Sequence, residues 1–396
     1  MHAIGFLSRW LRERVVVGHR ARSAALLKAV GALLIGGRLS LTQLGRRRQG
    51  SAYEKHHIKA VDRLLGNRHL HRERDAMYSA IAERVLGGIA QPVIVVDWSD
   101  SEPGRRWVML NAAVPVGGRA ITVYERVYPF KRYNSPGAHR EFLQALRGVL
   151  PEGCRPIIVT DAGFRGPWFR QVEQYGWHWV GRVRNGIKYL NEHTGRWCYT
   201  DSLYAQATST MRHLGEVTLA RRGGYRCRLY LVRAHKLRVG RPPKRGGKTR
   251  NTSLYRRLHR APWLLATSLP YQLGAEHRVQ RLYEQRMQIE ETFRDMKSHR
   301  WGFGLCYSRC KDAERLQVLL LIGALAALAL WLVGLCAQAL GWTRRFQANT
   351  ERRRAVMSTV FLGRRLLIRH EAFPTEPMLL TALQHLRALV LDALPV

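Results

Sequence analysis

Acidic side chains are scarce in this chain: 28 Asp and Glu stand against 66 Lys and Arg, a formal net charge of +38. Such an excess implies a polyanionic partner, nucleic acid first and an anionic membrane surface second. Arginine outnumbers lysine, which suits bidentate contacts to phosphate. Cysteine is sparse as well. The six residues, at 154, 198, 227, 306, 310 and 336, include no CxxC pair, and Cys306 and Cys310 have no second pair with histidine support. That argues against structural zinc and fits a reduced, cytoplasmic setting. A signal-peptide pattern is missing, because Arg9, Arg12 and Arg14 interrupt any apolar core near the start. Long hydrophobic runs are absent but for residues 318–337, which carry no charge. Their length would span a bilayer. Their many Ala and Gly, their isolation and a mean hydropathy of −0.26 for the chain favour a buried helix and no membrane partner.

What is present reads as a mixed α/β chain. At 396 residues and 46% hydrophobic content it can build two or three domains and is not disordered. Residues 1–88 read as a helical DNA-binding domain with basic faces. Leu39-Ser-Leu-Thr-Gln-Leu44, followed by Gly45 and Arg46 to Arg48, is either a helix-turn-helix element or part of a small helical bundle. From Pro92 the pattern changes. Residues 93–96 form a buried strand ending at Asp97. Residues 107–116 and 120–127 form a hairpin about Gly117-Gly118. A helix over 141–150, a strand over 156–159 ending at Thr160-Asp161, a helix over 166–175 and a strand over 177–184 follow. This β-β-β-α-β-α-β order is that of the ribonuclease H fold, in which the first and fourth strands are neighbours, so Asp97 and Asp161 are expected side by side. The expected division is a ribonuclease H-like core over 89–184 and 262–345, a β-rich basic insertion over 185–261, and a helical C-terminal region over 346–396. The leucines of that last region serve either as a dimerisation surface or as plain helical core.

The densest information lies between Tyr283 and Lys297. Tyr283, Arg286, Glu290 and Lys297 stand at i, i+3, i+7 and i+14, within a stripe roughly 60° wide on one helix. Arg294 falls at its edge, and Glu291 points about 100° away from Glu290. One helix would then set a single carboxylate among cations and a phenol. A solvated face laced with salt bridges would explain its Glu and Arg residues, but not the acids elsewhere. Asp97, Asp161 and Glu290 together make a candidate two-metal site. Clustered carboxylates need cations, and Mg²⁺ favours oxygen ligands. Two ions about 3.5–4 Å apart would serve an in-line phosphoryl transfer. Taken singly, Asp97 could be a strand-end cap, with Asp100 as a competitor, and Asp161 a turn residue before Gly163.

These residues resemble a known family. Val96-Asp97-Trp98-Ser99, Thr160-Asp161-Ala162-Gly163-Phe164 and Tyr283-x2-Arg286-x3-Glu290-x6-Lys297 look like the three motifs of bacterial insertion-sequence DDE transposases of the group numbered four. Within it the likeness is greatest to the hairpin-forming, cut-and-paste subgroup. Trp263-Leu-Leu-Ala-Thr267 is similar too, and no acidic position departs from the pattern. The resemblance implies that Asp97, Asp161 and Glu290 bind two Mg²⁺ ions, with Mn²⁺ as a substitute. It implies that Tyr283, Arg286 and Lys297 hold phosphates, and that Trp263 lies near a flipped base unless it is an ordinary core tryptophan. Arg294 would contact DNA or neutralise the acids. Trp98 would pack or border the site. The implied reaction is hydrolysis at the element's end, hairpin formation and reopening, then strand transfer. The implied partners are the terminal inverted repeats and target DNA, met by a homodimer in the synapse, in the bacterial cytoplasm at the nucleoid. Other readings are a nuclease of the same fold and a catalytically inactive DNA-binding protein derived from a transposase.

Overall fold

The computed structural model describes residues 19–101, 106–184, 186–192, 194–233, 261–300, 302–348, 350–351, 354–369 and 374–394, with Gly5, Phe6 and Arg9. The basic stretch 235–260 and Trp301 lie outside the described residues. The chain divides into two compact units, one made of Met1–Cys154 with Met287–Leu394, the other of Arg155–Arg286.

The first unit begins with α1 (Arg20–Leu34), α2 (Leu41–Arg46), α3 (Glu54–Leu65) and α4 (Arg68–Leu86). Side-chain caps set two of these starts. Ser40 accepts from the Gln43 N–H, and Asn67 from His69 and Leu70, supplying acceptors to first-turn donors that lack helical partners. Three strands follow, β1 (Val93–Asp100), β2 (Trp107–Pro115) and β3 (Ala120–Pro129), then α5 (Pro136–Val149). The strands are antiparallel in the order β3-β2-β1, and Gly117 and Gly118 both take positive φ in the turn. The sequence ends β1 at Asp97, but pairing continues to Asp100. Asp97 is therefore a residue within a strand.

In the second unit β4 (Ile157–Thr160) leads through α6 (Gly166–Gln174) to β5 (His178–Val183), which pairs with it in parallel. Four strands come next, β6 (Lys188–Asn191), β7 (Arg196–Tyr199), β8 (Arg212–Leu219) and β9 (Tyr225–Val232), and then β10 (Trp263–Thr267) and α7 (Ala275–Glu284). The strand order is β4-β5-β10-β9-β8-β6-β7, and every pairing after the first is antiparallel.

The chain then re-enters the first unit with α8 (Met287–Lys297), α9 (Ala313–Ala339), the short α10 (Thr343–Phe346), α11 (Thr359–Arg369) and α12 (Glu376–Asp392). The uncharged run lies in α9, the one described helix long and apolar enough to cross a membrane, and its apolar window is almost wholly buried. Helices α1, α4, α11 and α12 pack around it. Its approach to α11 depends on two glycines. A Cβ on Gly334 would lie 2.1 Å from the Thr359 carbonyl oxygen, and one on Gly363 2.2 Å from that of Leu330. Leu366, Leu367, Leu379, Leu383 and Leu386 are buried in this core, whereas Leu380 and Leu391 stay exposed. Helices α4 and α9 also pack against β3, and Gln317 of α9 accepts the Val127 N–H at its outer edge. An uncovered strand edge invites pairing with another chain.

Candidate functional site

The sequence predicts one uninterrupted helix through Tyr283 and Lys297. Instead, α7 ends at Glu284 and α8 starts at Met287. A 3₁₀-type bond from the Arg286 N–H to the Tyr283 carbonyl, 3.1 Å long, tightens the junction. Tyr283 and Arg286 belong to the second unit, and Glu290, Arg294 and Lys297 to the first. The candidate residues therefore form two groups.

In the first unit Asp97 projects from the middle of β1. One carboxylate oxygen accepts the N–H of Trp98 at 2.8 Å. Asp97 is in direct register with Asn111 on β2, and Asn111 with Glu125 on β3, so the three side chains leave one face of the strands in a row. Asn111 is 1% exposed. Its amide donates to Glu125 Oε2 at 3.0 Å and to Thr122 Oγ1 at 3.1 Å. With both donors committed to β3, its Oδ1 is left buried and without a hydrogen-bond partner. An orphaned buried acceptor beside a carboxylate calls for a donor, a water or a cation. Glu125 itself is 2% exposed and also accepts the Tyr78 hydroxyl at 2.9 Å. Burial pushes its carboxyl up to about 7, against the hydrogen bonds from Tyr78 and Asn111 and the charge of Arg74.

Trp98 faces the other way. Its Nε1 donates to His139 Nε2 at 3.2 Å, and its ring meets Tyr128 and Tyr133 edge-on at 5.6 and 5.3 Å. Burial lowers His139 to about 4, so the ring is the neutral acceptor this bond requires. Trp98 thus packs behind Asp97.

Helix α8 is fastened to the β2–β3 hairpin by one polar face. Gln288 Oε1 accepts from the N–H groups of Val116 and Gly118, both at 3.0 Å. Thr292 Oγ1 accepts from the Ala120 N–H and donates to the Ala120 carbonyl, both at 2.9 Å. Asp295 pairs with Arg119 at 2.8 Å. These residues, at i, i+4 and i+7, share a face, and Glu290 lies about 200° around the helix from Gln288. The latch aims Glu290, which is exposed, away from the hairpin. Glu291 is held between Arg119 at 3.4 Å and Arg294 at 2.6 Å. Arg294 thus engages Glu291, with its side chain 68% exposed. Lys297, at the other end of α8, lies within electrostatic reach of Asp100 and Asp97. Burial lowers the pKa of its ammonium, while Asp100 and Asp97 raise it.

In the second unit Asp161 follows β4, and its Oδ1 accepts the Gly163 N–H at 2.8 Å, the turn geometry of an Asx residue. Tyr283 is 5% exposed. Burial raises its phenol, Arg286 and Arg182 lower it, Asp161 raises it and Arg184 lowers it. Trp263 meets Tyr283 edge-on at 5.0 Å. Arg182 donates to the carbonyls of Ala261 and Pro262 at 3.1 and 3.4 Å, leaving its Nε buried and unpaired. Asp161, Tyr283, Arg286 and Trp263 are thereby gathered with Arg182 and Arg184. Sequence reasoning missed those last two, although cations at alternate positions of a buried strand were a visible signal. It also missed Asn111, Glu125 and the α8 latch, whose partners lie far apart in the chain.

Among the described residues no group of three His, Cys, Asp or Glu side chains is gathered as a metal cage. Within the first unit, Asp97 and the orphaned Asn111 oxygen are hard oxygen donors, and in the second Asp161 is another. Hard carboxylate and amide oxygens suit Mg²⁺ or Mn²⁺.

A family model described as the transposase DDE domain matches residues 90–327. No curated protein matches the chain.

Proposed function

This chain belongs to the transposase DDE domain family, and on that premise we propose that it cleaves DNA at the ends of an insertion sequence and joins those ends to target DNA. The observation that carries the reading is the match over residues 90–327, which contains every acidic and basic motif position named above. The element order from β1 to β5 supports a ribonuclease H-like core. Asp97, Asp161 and Glu290 would hold divalent metal, with Mg²⁺ or Mn²⁺ as the ion. Bound there, the metal would supply Lewis-acid activation of the phosphodiester and its nucleophile.

The remaining roles follow from the side chains. Arg286 would fork onto a phosphate, and Tyr283 would donate its hydroxyl to one. Arg182 and Arg184 would keep that phenol in a cationic environment. Lys297, within electrostatic reach of Asp97 and Asp100, would balance the carboxylates until a phosphate arrives. Glu290, on the side of α8 opposite the latch, is the carboxylate of that helix we assign to the reaction. Trp263 would present its outer surface to a base, since Tyr283 covers it edge-on. The insertion-sequence group numbered four, the hairpin route and a homodimeric synapse complete the proposal by resemblance of the three motifs.

The test is cleavage and strand transfer with a labelled duplex carrying the flanking repeat, in Mg²⁺ or Mn²⁺. Wild type and Glu291→Gln should cut at the repeat boundary, and Glu290→Ala should not. Binding without cutting under either metal would sink the enzymatic reading and leave a DNA-binding protein.

A further inference from the structure

Three consecutive arginines follow Gly45, and the fold treats them differently. Arg46 and Arg47 are exposed, and Arg46 pairs with Glu54 at 2.9 Å. Arg48 turns inward. Its Nε and Nη1 are shielded from solvent and make no hydrogen bond. Gly45 makes this approach possible, since a Cβ there would lie 2.6 Å from the Ile58 Cα and force α2 away from α3.

Arg48 lines a cavity of about 370 Å³ shared with His19, Arg22, Ala60, Arg63 and Asn67. No carboxylate lines it among the described residues. Arg22 is already ion-paired with Glu73, and Asn67 Oδ1 is spent on capping α4. What remains is two cations facing one space. The Arg48 guanidinium pKa is lowered by burial and by the charge of Arg63. Unpaired donors and like charges side by side against a small-residue wall suit an anionic group. Arg63 is exposed while also lining the cavity, so the space is reached from the surface. A guanidinium fork matches two oxygens of a tetrahedral phosphate.

We propose that this cavity seats a backbone phosphate of duplex DNA, gripped by Arg48 with Arg63 beside it. The inference rests on the proposed action on DNA. It adds a phosphate anchor built from α1, α3 and the end of α2.

The test is binding of the repeat duplex by fluorescence anisotropy across salt concentrations. The proteins compared are wild type, Arg48→Gln, Ala60→Trp and the exposed control Arg344→Gln, each with its thermal unfolding recorded. Arg48→Gln should weaken binding about tenfold and reduce the slope of log K against log salt by about 0.9, one phosphate. Ala60→Trp fills the space, leaves both arginines and should do the same, which keeps the test alive if Arg48→Gln folds poorly. A folded Arg48→Gln or Ala60→Trp with the slope of wild type overturns the site while leaving the function intact. Wild type that fails to bind duplex at any salt overturns both. An arm with inorganic phosphate separates the sources. Stabilisation of wild type but not Arg48→Gln by phosphate, with unchanged DNA slopes, would assign the cavity to a free anion and overturn the DNA assignment.

Discussion

The two groups of candidate residues are held by different physics. In the first unit, Glu290 is aimed by hydrogen bonds: Gln288, Thr292 and Asp295 clasp the β2–β3 hairpin from about 170 residues away in sequence. In the second unit, Tyr283 is held by burial among Trp263 and arginines. A hydrogen-bonded latch is specific in direction but contributes little net energy per bond. A buried aromatic contributes more, with less say over direction. The lesson is that one half is tuned for orientation and the other for stability.

The sharpest way to break this contrast is to attack its stronger side. Tyr283→Ala should destabilise the protein by about 3–5 kcal/mol, the usual cost of emptying a buried aromatic site, measured by urea unfolding. A loss under about 1 kcal/mol would show that Tyr283 is not a packing anchor.

Glu125 adds a pH-dependent element to the first unit. Its folded value is about 7, against 4.5 when unfolded. Between those values the folded protein holds the extra proton, so its stability falls as pH rises from about 4.5 to about 7. Glu125→Gln lacks that loss. The stability difference, variant minus wild type, should grow by up to about 3 kcal/mol across this window in urea titrations at pH 5 and 8. A flat difference would mean that Glu125 is ionised throughout.

Thr292→Val removes a single clasp and should cost about 1–3 kcal/mol by leaving the Ala120 backbone unpaired. It should lower DNA cleavage more than stability alone accounts for. If cleavage per folded molecule stays at the wild-type rate, the latch does not orient Glu290. The smallest effect belongs to Arg294→Ala. Its ion pair with Glu291 is largely solvent-exposed, so unfolding should shift by less than about 1 kcal/mol. A larger shift would make the outer side of α8 structural.

Much of this was legible in the sequence because it is local. Apolar runs such as residues 93–96 and the Gly117-Gly118 turn announced strands and a hairpin, and both form. The end of β1 was misjudged because Asp97, Trp98 and Asp100 look like a loop, yet their pairing with β2 supplies a partner for each. The break after Glu284 was hidden because Gln285 and Arg286 are good helix formers and no Gly or Pro marks it. The row from Asp97 through Asn111 to Glu125 depends on register, which no single strand carries. Arg48 looked like one more basic residue. Only packing of α2 against α3 distinguishes it from its two neighbours.

The chain leaves the first unit at Cys154 and returns at Met287. On the ribosome, those intervening residues take roughly 10 s to make at ordinary elongation rates. Through that interval the β2–β3 hairpin has no α8 to clasp it and the edge of β3 has no α9 to pack against it. The nascent chain must therefore shield a bare strand edge by other means, or present it to whatever waits at the tunnel exit. Glu290 arrives only with the helix that closes the hairpin, so no shorter translation product carries the full acidic set.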